Sequence, residues 1–217
     1  MPSAPTTLTM KIEQLKTIPD RAGRYWMVLE TGEKMALYRQ TVEDFGLYSG
    51  RELSDAEWKK LQEHAGQMSA KMRAVRIVTA SNVSKRDLER RLIQKGEDPA
   101  QAQNAVSWLS DLNVLDDART AEQVVSSCVR KGYGIARAKQ ALYEKRIPKS
   151  YWDDALRDYP DQSEHILSFL RSRLDETADA KDIKRAVDGL IRRGHSYPQI
   201  RKCLQRLSLD DDDFPEG

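Results

Sequence analysis

The stretch VRIVTASNVSKRDLERRLIQKG, residues 75–96, decides how this chain folds. Val75 and Val78 stand three apart, and Leu88 and Leu92 four apart, so each pair falls on one face of a helix. Between the pairs Val83-Ser84 reads as a turn, with Ser84 a good N-cap for the second helix. The same six positions return 50 residues later as Val125, Cys128, Tyr133, Gly134, Ala138 and Leu142. They return 112 residues after the first copy as Val187, Leu190, His195, Ser196, Ile200 and Leu204. Recurrence of this kind marks a repeat protein. Each copy has a first helix, a tight turn and a second helix, often with a third. In the first copy the third helix opens at Asp98-Pro99 and runs to Leu112, and in the second Pro148 marks the same event. One such unit barely buries its own apolar face, and stacking neighbours extends the core. The expected fold is mainly α, with tandem three-helix repeats in an elongated curved array.

Upstream the period changes. Leu8, Met10 and Ile12 alternate with polar residues, as in a half-buried strand. Residues 25–30 read as a second strand, Thr31-Gly32 as a hairpin turn, and Met35, Leu37 and Tyr38 as the returning strand. Residues 41–45 read as a short helix ended by Gly46. Ser54 and Glu57 have the spacing of a capping box, opening a helix that Gly66 is expected to close. The expected division is an N-terminal β-containing extension over 1–68, repeats over 69–115, 116–159 and 160–209, and an acidic disordered tail over 210–217. The first half-dozen residues read as a frayed end.

Composition narrows the function classes. The chain has 217 residues, 39% hydrophobic and 32% charged, a polar balance that suits thin layers with much surface. No run approaches the ~20 apolar residues of a membrane helix, and residues 1–15 lack a basic segment followed by an apolar one. Two cysteines, Cys128 and Cys203, build neither a disulfide framework nor a Cys-rich zinc site. The expected address is the cytoplasm. Net charge is +2, but it is unevenly spread. Residues 1–68 hold 9 basic and 10 acidic side chains, residues 69–207 hold 27 and 19, and residues 208–217 hold none and 5. A basic middle segment points to a polyanion or an acidic partner, or to a solvated, salt-bridged helical surface.

Catalytic constellations are missing from the pattern. There is no phosphate-binding GxxxxGK[ST] loop, and Gly132-Tyr133-Gly134 reads as a helix end and turn in which glycine supplies positive φ. His64, His165 and His195 have no metal-ligand spacing. His195 and Cys128 occupy repeat positions that pack the core. No catalytic residue, cofactor or metal is expected.

The cations are better organised. One cluster holds Lys85, Arg86, Arg90, Arg91 and Lys95. A second holds Arg130, Lys131, Arg137, Lys139, Lys145 and Arg146, and a third includes Arg192, Arg193, Arg201 and Lys202. Arg130-Lys131 and Arg192-Arg193 occupy one place in the repeat, each before a glycine. There a cation stabilises the last helical carbonyls by ~0.3–1 kcal/mol, so the pairs fit a structural cap. The charge in the second and third clusters exceeds what capping needs and so favours a repeated contact to phosphate or carboxylate, which arginine makes bidentately.

These motifs, in order, resemble the RecX family of bacterial regulatory proteins, which modulate the RecA recombinase. Residues 84–92 with Lys95-Gly96 resemble its S-x-x-E-L-x-x-x-L…K-G segment, with Asp87 where Glu is usual. Leu115-Asp116-Asp117 with Ala121 resembles L-D-D-x-x-[FY]-A. Lys131-Gly132-Tyr133-Gly134 with Leu142 and Ile147 resembles K-G-x-G…L…G-I. Arg193-Gly194-His195-Ser196 with Ile200 and Leu204 resembles R-G-F-S…I…L, and Phe45-Gly46-Leu47, Gly50 and Leu53 fit members with the extension. Thr120, Arg146 and His195 depart from the usual aromatic, Gly and Phe. The resemblance implies a non-enzyme. It implies binding to RecA and to RecA filaments on single-stranded DNA, limiting filament growth, strand exchange and RecA's ATP hydrolysis in DNA repair, recombination and the SOS response. It leaves open whether the basic edges meet RecA, DNA phosphates or both. A monomer is expected. The alternative reading is a general nucleic-acid-binding helical protein without a dedicated RecA partner.

Overall fold

The computed structural model describes residues 9–19, 23–175 and 178–207. The expected frayed start and the acidic tail lie outside them. Four antiparallel strands, β1 (Thr9–Thr17), β2 (Arg24–Leu29), β3 (Lys34–Tyr38) and β4 (Glu52–Ser54), form one sheet in the order β3-β2-β1-β4. Glu33 O accepts from Leu29 N at 2.9 Å, and Gly32 at φ +86° supplies the left-handed residue that closes the β2–β3 hairpin. A sheet this small is marginal alone. One face is therefore covered: Ile12, Met27, Leu29, Leu37 and Leu53 are fully buried, together with Leu61 of the helix that follows. After α1 (Arg39–Asp44), β4 pairs with the start of β1, Met10 opposite Leu53. Three residues are too few to show alternation, so β4 has no sequence signal.

Helix α2 (Asp55–Ala80) opens at the expected capping box. Ser54 Oγ accepts from Glu57 N at 3.3 Å, and Glu57 Oε2 accepts from Ser54 N at 2.9 Å. These bonds, with Arg51 at 2.9 Å, hold the Glu57 carboxyl below the usual range. The helix does not end at Gly66, as the sequence predicts, but runs on to Ala80. Gly66 has no left-handed φ, and a Cβ there would meet Gln101 Cγ at 3.7 Å, ordinary contact. Fully buried Ala70 and Ala74 let α2 lie close against buried Ala102 and Ala105 of α4 (Pro99–Asp111). This packing offsets the cost of about 1 kcal/mol for a helical glycine. Residues 68 and 69, where the extension is expected to give way to the first repeat, thus lie within one helix.

The chain folds as two compact units: Met1–Ser81 with Leu88–Val114, and Asn82–Asp87 with Leu115–Gly217. Helix α3 (Lys85–Gln94) is divided between them. The second unit holds α5 (Asp117–Arg130), α6 (Ile135–Glu144), a 3₁₀ turn and α7 (Trp152–Leu156) around one core. Around another it holds α8 (Ser163–Arg171), α9 (Ala180–Arg192) and α10 (Tyr197–Arg206). The helix pairs α5/α6 and α9/α10 are the expected ones. The third helix follows its pair in the earlier copies, as α4 and α7, but in the last copy α8 precedes it.

The caps join the pieces of the second unit. Asp116 caps its own helix, Oδ1 accepting from Ala118 N at 2.8 Å, while Asp117 Oδ1 accepts from Lys85 N at 2.8 Å and so caps α3. Ser84 Oγ accepts from Asp87 N at 3.1 Å and donates to Lys145 O at 2.6 Å.

The two repeat turns that carry the basic pairs meet backbone to backbone. Gly134 N donates to Arg193 O at 2.9 Å, and Ala136 N to Gly194 O at 3.3 Å. A Cβ on Gly134 would fall less than 3 Å from Gly194 O, and one on Gly194 less than 3 Å from Arg137 N. Gly132 has the expected positive φ, +63°, whereas Gly134 does not and is required by this close approach. His195, 4% exposed, presses into the same seam, its Nε2–H donating to Gly132 O at 3.0 Å. Its buried Nδ1 has no partner among the described residues. Burial, foremost, pushes its pKa below the usual value.

Two predictions follow from these glycines and this histidine. Gly66→Ala should raise stability by about 0.5–1 kcal/mol in urea unfolding, and Gly134→Ala should lower it by about 1–3 kcal/mol. Equal effects would contradict the close approach. The folded state binds fewer protons than the unfolded chain near His195. Stability is therefore retained above the unfolded pKa of about 6.5 and lost as pH falls below it. The His195→Phe variant should show a smaller fall in Tm between neutral pH and about 5.5; an unchanged fall would place the titration elsewhere.

Candidate binding surface

The predicted cations divide by environment. Arg86, Lys95, Arg130, Lys131, Lys139, Arg192, Arg193, Arg201 and Lys202 are exposed, whereas Lys85, Arg90, Arg91, Arg137 and Lys145 are half-buried. Several of the half-buried group have structural ties. Lys145 Nζ donates to Asn82 O at 3.1 Å, and Arg90 Nη1 to Gln94 Oε1 at 3.0 Å. Arg137 Nη1 pairs with Glu144 Oε1 at 2.9 Å, which raises the guanidinium's pKa and lowers the carboxyl's. Half-exposed as it is, that pair adds little stability.

The first sequence cluster does not stay together. Arg91 and Lys95, in the first unit, line a groove with Arg73 and Arg76 of α2, over Ile77 and Ala80. Arg73 is committed to the fold, with Nε 2.8 Å from Glu97 Oε1 and Nη1 donating to Lys95 O at 2.6 Å. Arg76 Nη2 reaches Tyr38 OH at 3.4 Å. The sequence reading passed over Arg73 and Arg76. Their signal was a spacing of three, within the helix already expected over Val75 and Val78. Arg86 instead belongs to the second unit, where it lines a different groove with Tyr143 and Arg146.

The second and third clusters are brought together. Because the two glycine turns dock, Lys131 and Arg193 line one groove with His165 and Phe169. The Arg193 guanidinium sits 4.6 Å from the Phe169 ring centroid, and that of Arg173 5.5 Å. Such contacts contribute ~0.5–1 kcal/mol at exposed sites and hold the charge in place. Arg130 Nη1 donates to Ser126 Oγ at 3.1 Å. Arg130 and Arg192 stand in the last turns of α5 and α9, and Lys131 and Arg193 are the C-caps, so the pairs do meet the helix dipole. Their side chains nonetheless remain exposed. Behind the junction Tyr159 OH donates to Tyr133 O at 2.7 Å, and burial pushes its phenol up to about 12.

Cys128 and Cys203 are buried, and burial pushes both thiols up, away from the nucleophilic thiolate. Among the described residues no group of three His, Cys, Asp or Glu could hold a metal ion, and no helix is long and apolar enough to cross a membrane.

Known proteins share this architecture. Residues 116–156 match the family model described as RecX, second three-helix domain. A regulatory protein RecX from Vibrio campbellii is 31% identical over 159 residues, which are 72% of this chain and 99% of that protein. One from Clostridioides difficile is 25% identical over 94% of this chain and 97% of its own length. A crystal structure of regulatory protein RecX shares the fold, with a TM-score of 0.57 and 21% identity, over 89% of this chain and 99% of that one. With its repeat turns, their glycines and the β-containing extension placed as described, the chain belongs to the RecX family of regulatory proteins.

Proposed function

We propose that this protein is a modulator, mainly negative, of the RecA recombinase. It binds RecA and RecA filaments on single-stranded DNA, and limits filament growth, strand exchange and ATP hydrolysis by RecA during DNA repair and recombination. In this reading it works by binding, as a cytoplasmic monomer without a cofactor. Residues 69–115, 116–159 and 160–209 act as repeats that present the cations. The observation that supports the reading most is the junction where Lys131 and Arg193 share one groove. A filament repeats its surface, and cations held at equivalent places in successive repeats suit a repeating row of carboxylates or phosphates. Arginine on such a row makes bidentate contacts. Family membership agrees with it.

Titrating the protein into RecA turning over ATP on single-stranded DNA should slow turnover well below one copy per RecA. No slowing at equimolar protein would refute the reading. Changing Arg130, Lys131, Arg192 and Arg193 together to Ala should raise the half-inhibiting concentration roughly tenfold or more, with the far-ultraviolet spectrum unchanged. Full inhibition by that variant would leave the pairs as caps alone. A parallel titration of DNA without RecA tests the competing idea: inhibition that appears only once DNA is saturated would mean simple competition for DNA.

A further inference from the structure

The groove that takes Arg86 away from its sequence neighbours has a composition of its own. It is an opening of about 580 Å³ in the second unit, within the range of small-ligand sites. Arg86, Arg146 and Lys149 contribute cations, and Tyr143 and Trp152 aromatic rings. Tyr143 is 67% exposed, more than any other large apolar or aromatic side chain among the described residues. The Trp152 indole N–H donates to Ile147 O at 3.0 Å, which fixes that ring beside the opening. Glu144 also lines the groove, but its carboxylate is taken by Arg137. Among the described residues Arg86, Arg146 and Lys149 make no ion pair.

The backbone adds an independent observation. Arg146 has φ +56°, the left-handed region that favours glycine. The chain carries the costlier residue at a turn where glycine would fold more easily, and that residue puts a charge on the groove.

We propose that this groove binds one nucleotide unit of a single-stranded nucleic acid, with the base stacked on Tyr143 and the flanking phosphates on Arg86, Arg146 and Lys149. The inference deepens the functional reading above and rests on it, since it assigns a strand contact to a protein acting at a nucleoprotein filament. An acidic peptide would use the cations and leave the exposed ring idle, whereas a nucleotide uses both. Stacking on an aromatic face beside cations is how single strands are held without sequence preference.

The test is fluorescence anisotropy with labelled oligothymidylate, longer than the ~16 nucleotides of a large single-strand site, without RecA. Tyr143→Ala should weaken binding roughly tenfold and Tyr143→Phe should not. Against an abasic strand of equal length the Tyr143→Ala effect should vanish. Arg146→Gly suits the left-handed backbone and so keeps the fold. It should weaken binding and flatten the log–log salt dependence by about 0.7, one phosphate contact. Wild-type affinity in both Tyr143→Ala and Arg146→Gly would overturn the proposal. Wild-type affinity combined with lost RecA inhibition would overturn it in favour of an acidic protein segment. Weakened binding in the variants, from a wild type that leaves RecA turnover untouched, would uphold the groove and refute the modulator reading instead.

Discussion

Two helix ends in this protein approach until only glycine fits between them. Gly134 and Gly194 stand at the turns of successive repeats. Gly134 N donates to Arg193 O at 2.9 Å and Ala136 N to Gly194 O at 3.3 Å, so close that neither glycine position tolerates a Cβ. That contact fixes the places of Lys131 and Arg193, and it creates the buried seam that His195 fills. Charges that are 62 positions apart in the chain share one groove because two backbones lack side chains. The basic surface is thus a product of packing as much as of composition.

A second set of contacts, within the second unit, ties residues 84–87 at the start of α3 to the second repeat. Asp117 caps α3 across 32 positions of sequence, and Ser84 bridges that cap to the carbonyl of Lys145 at the end of α6. Each such cap contributes about 0.5–2 kcal/mol. Capping here is thus tertiary as well as local. It explains why the two aspartates stand together: the first serves its own helix and the second serves another.

Much of this was legible in the residues, for physical reasons. Apolar side chains three and four apart define a helix face whatever surrounds them, so the pairs α5/α6 and α9/α10 stood out. Ser54 with Glu57, and Asp98 with Pro99, are local capping chemistry and folded as read. Signals that depend on tertiary partners were not legible. Gly66 looked like a helix end, yet it sits in a helix held by the packing of Ala70 and Ala74. Gly134 stands in the turn as read, but its φ is −76°, and what requires glycine there is the close backbone approach and not a left-handed conformation. The basic clusters were found as runs of sequence, but folding sent Arg86 one way and Arg91 another. Tyr143 was passed over, although its place one position beyond Leu142 already puts it off the buried face of α6.

Lysine reactivity offers the most direct test of the central claim, that the docked turns present the working surface. Each lysine would be acylated sparingly, with and without RecA filaments on single-stranded DNA, and quantified by mass spectrometry. Lys131, Lys139 and Lys202 are exposed on the basic edges, and Lys16 and Lys34 are exposed on the sheet. The account predicts that filaments slow acylation at the first three and leave the last two unchanged. Protection confined to Lys16 and Lys34, with Lys131 reacting as in the free protein, would contradict it.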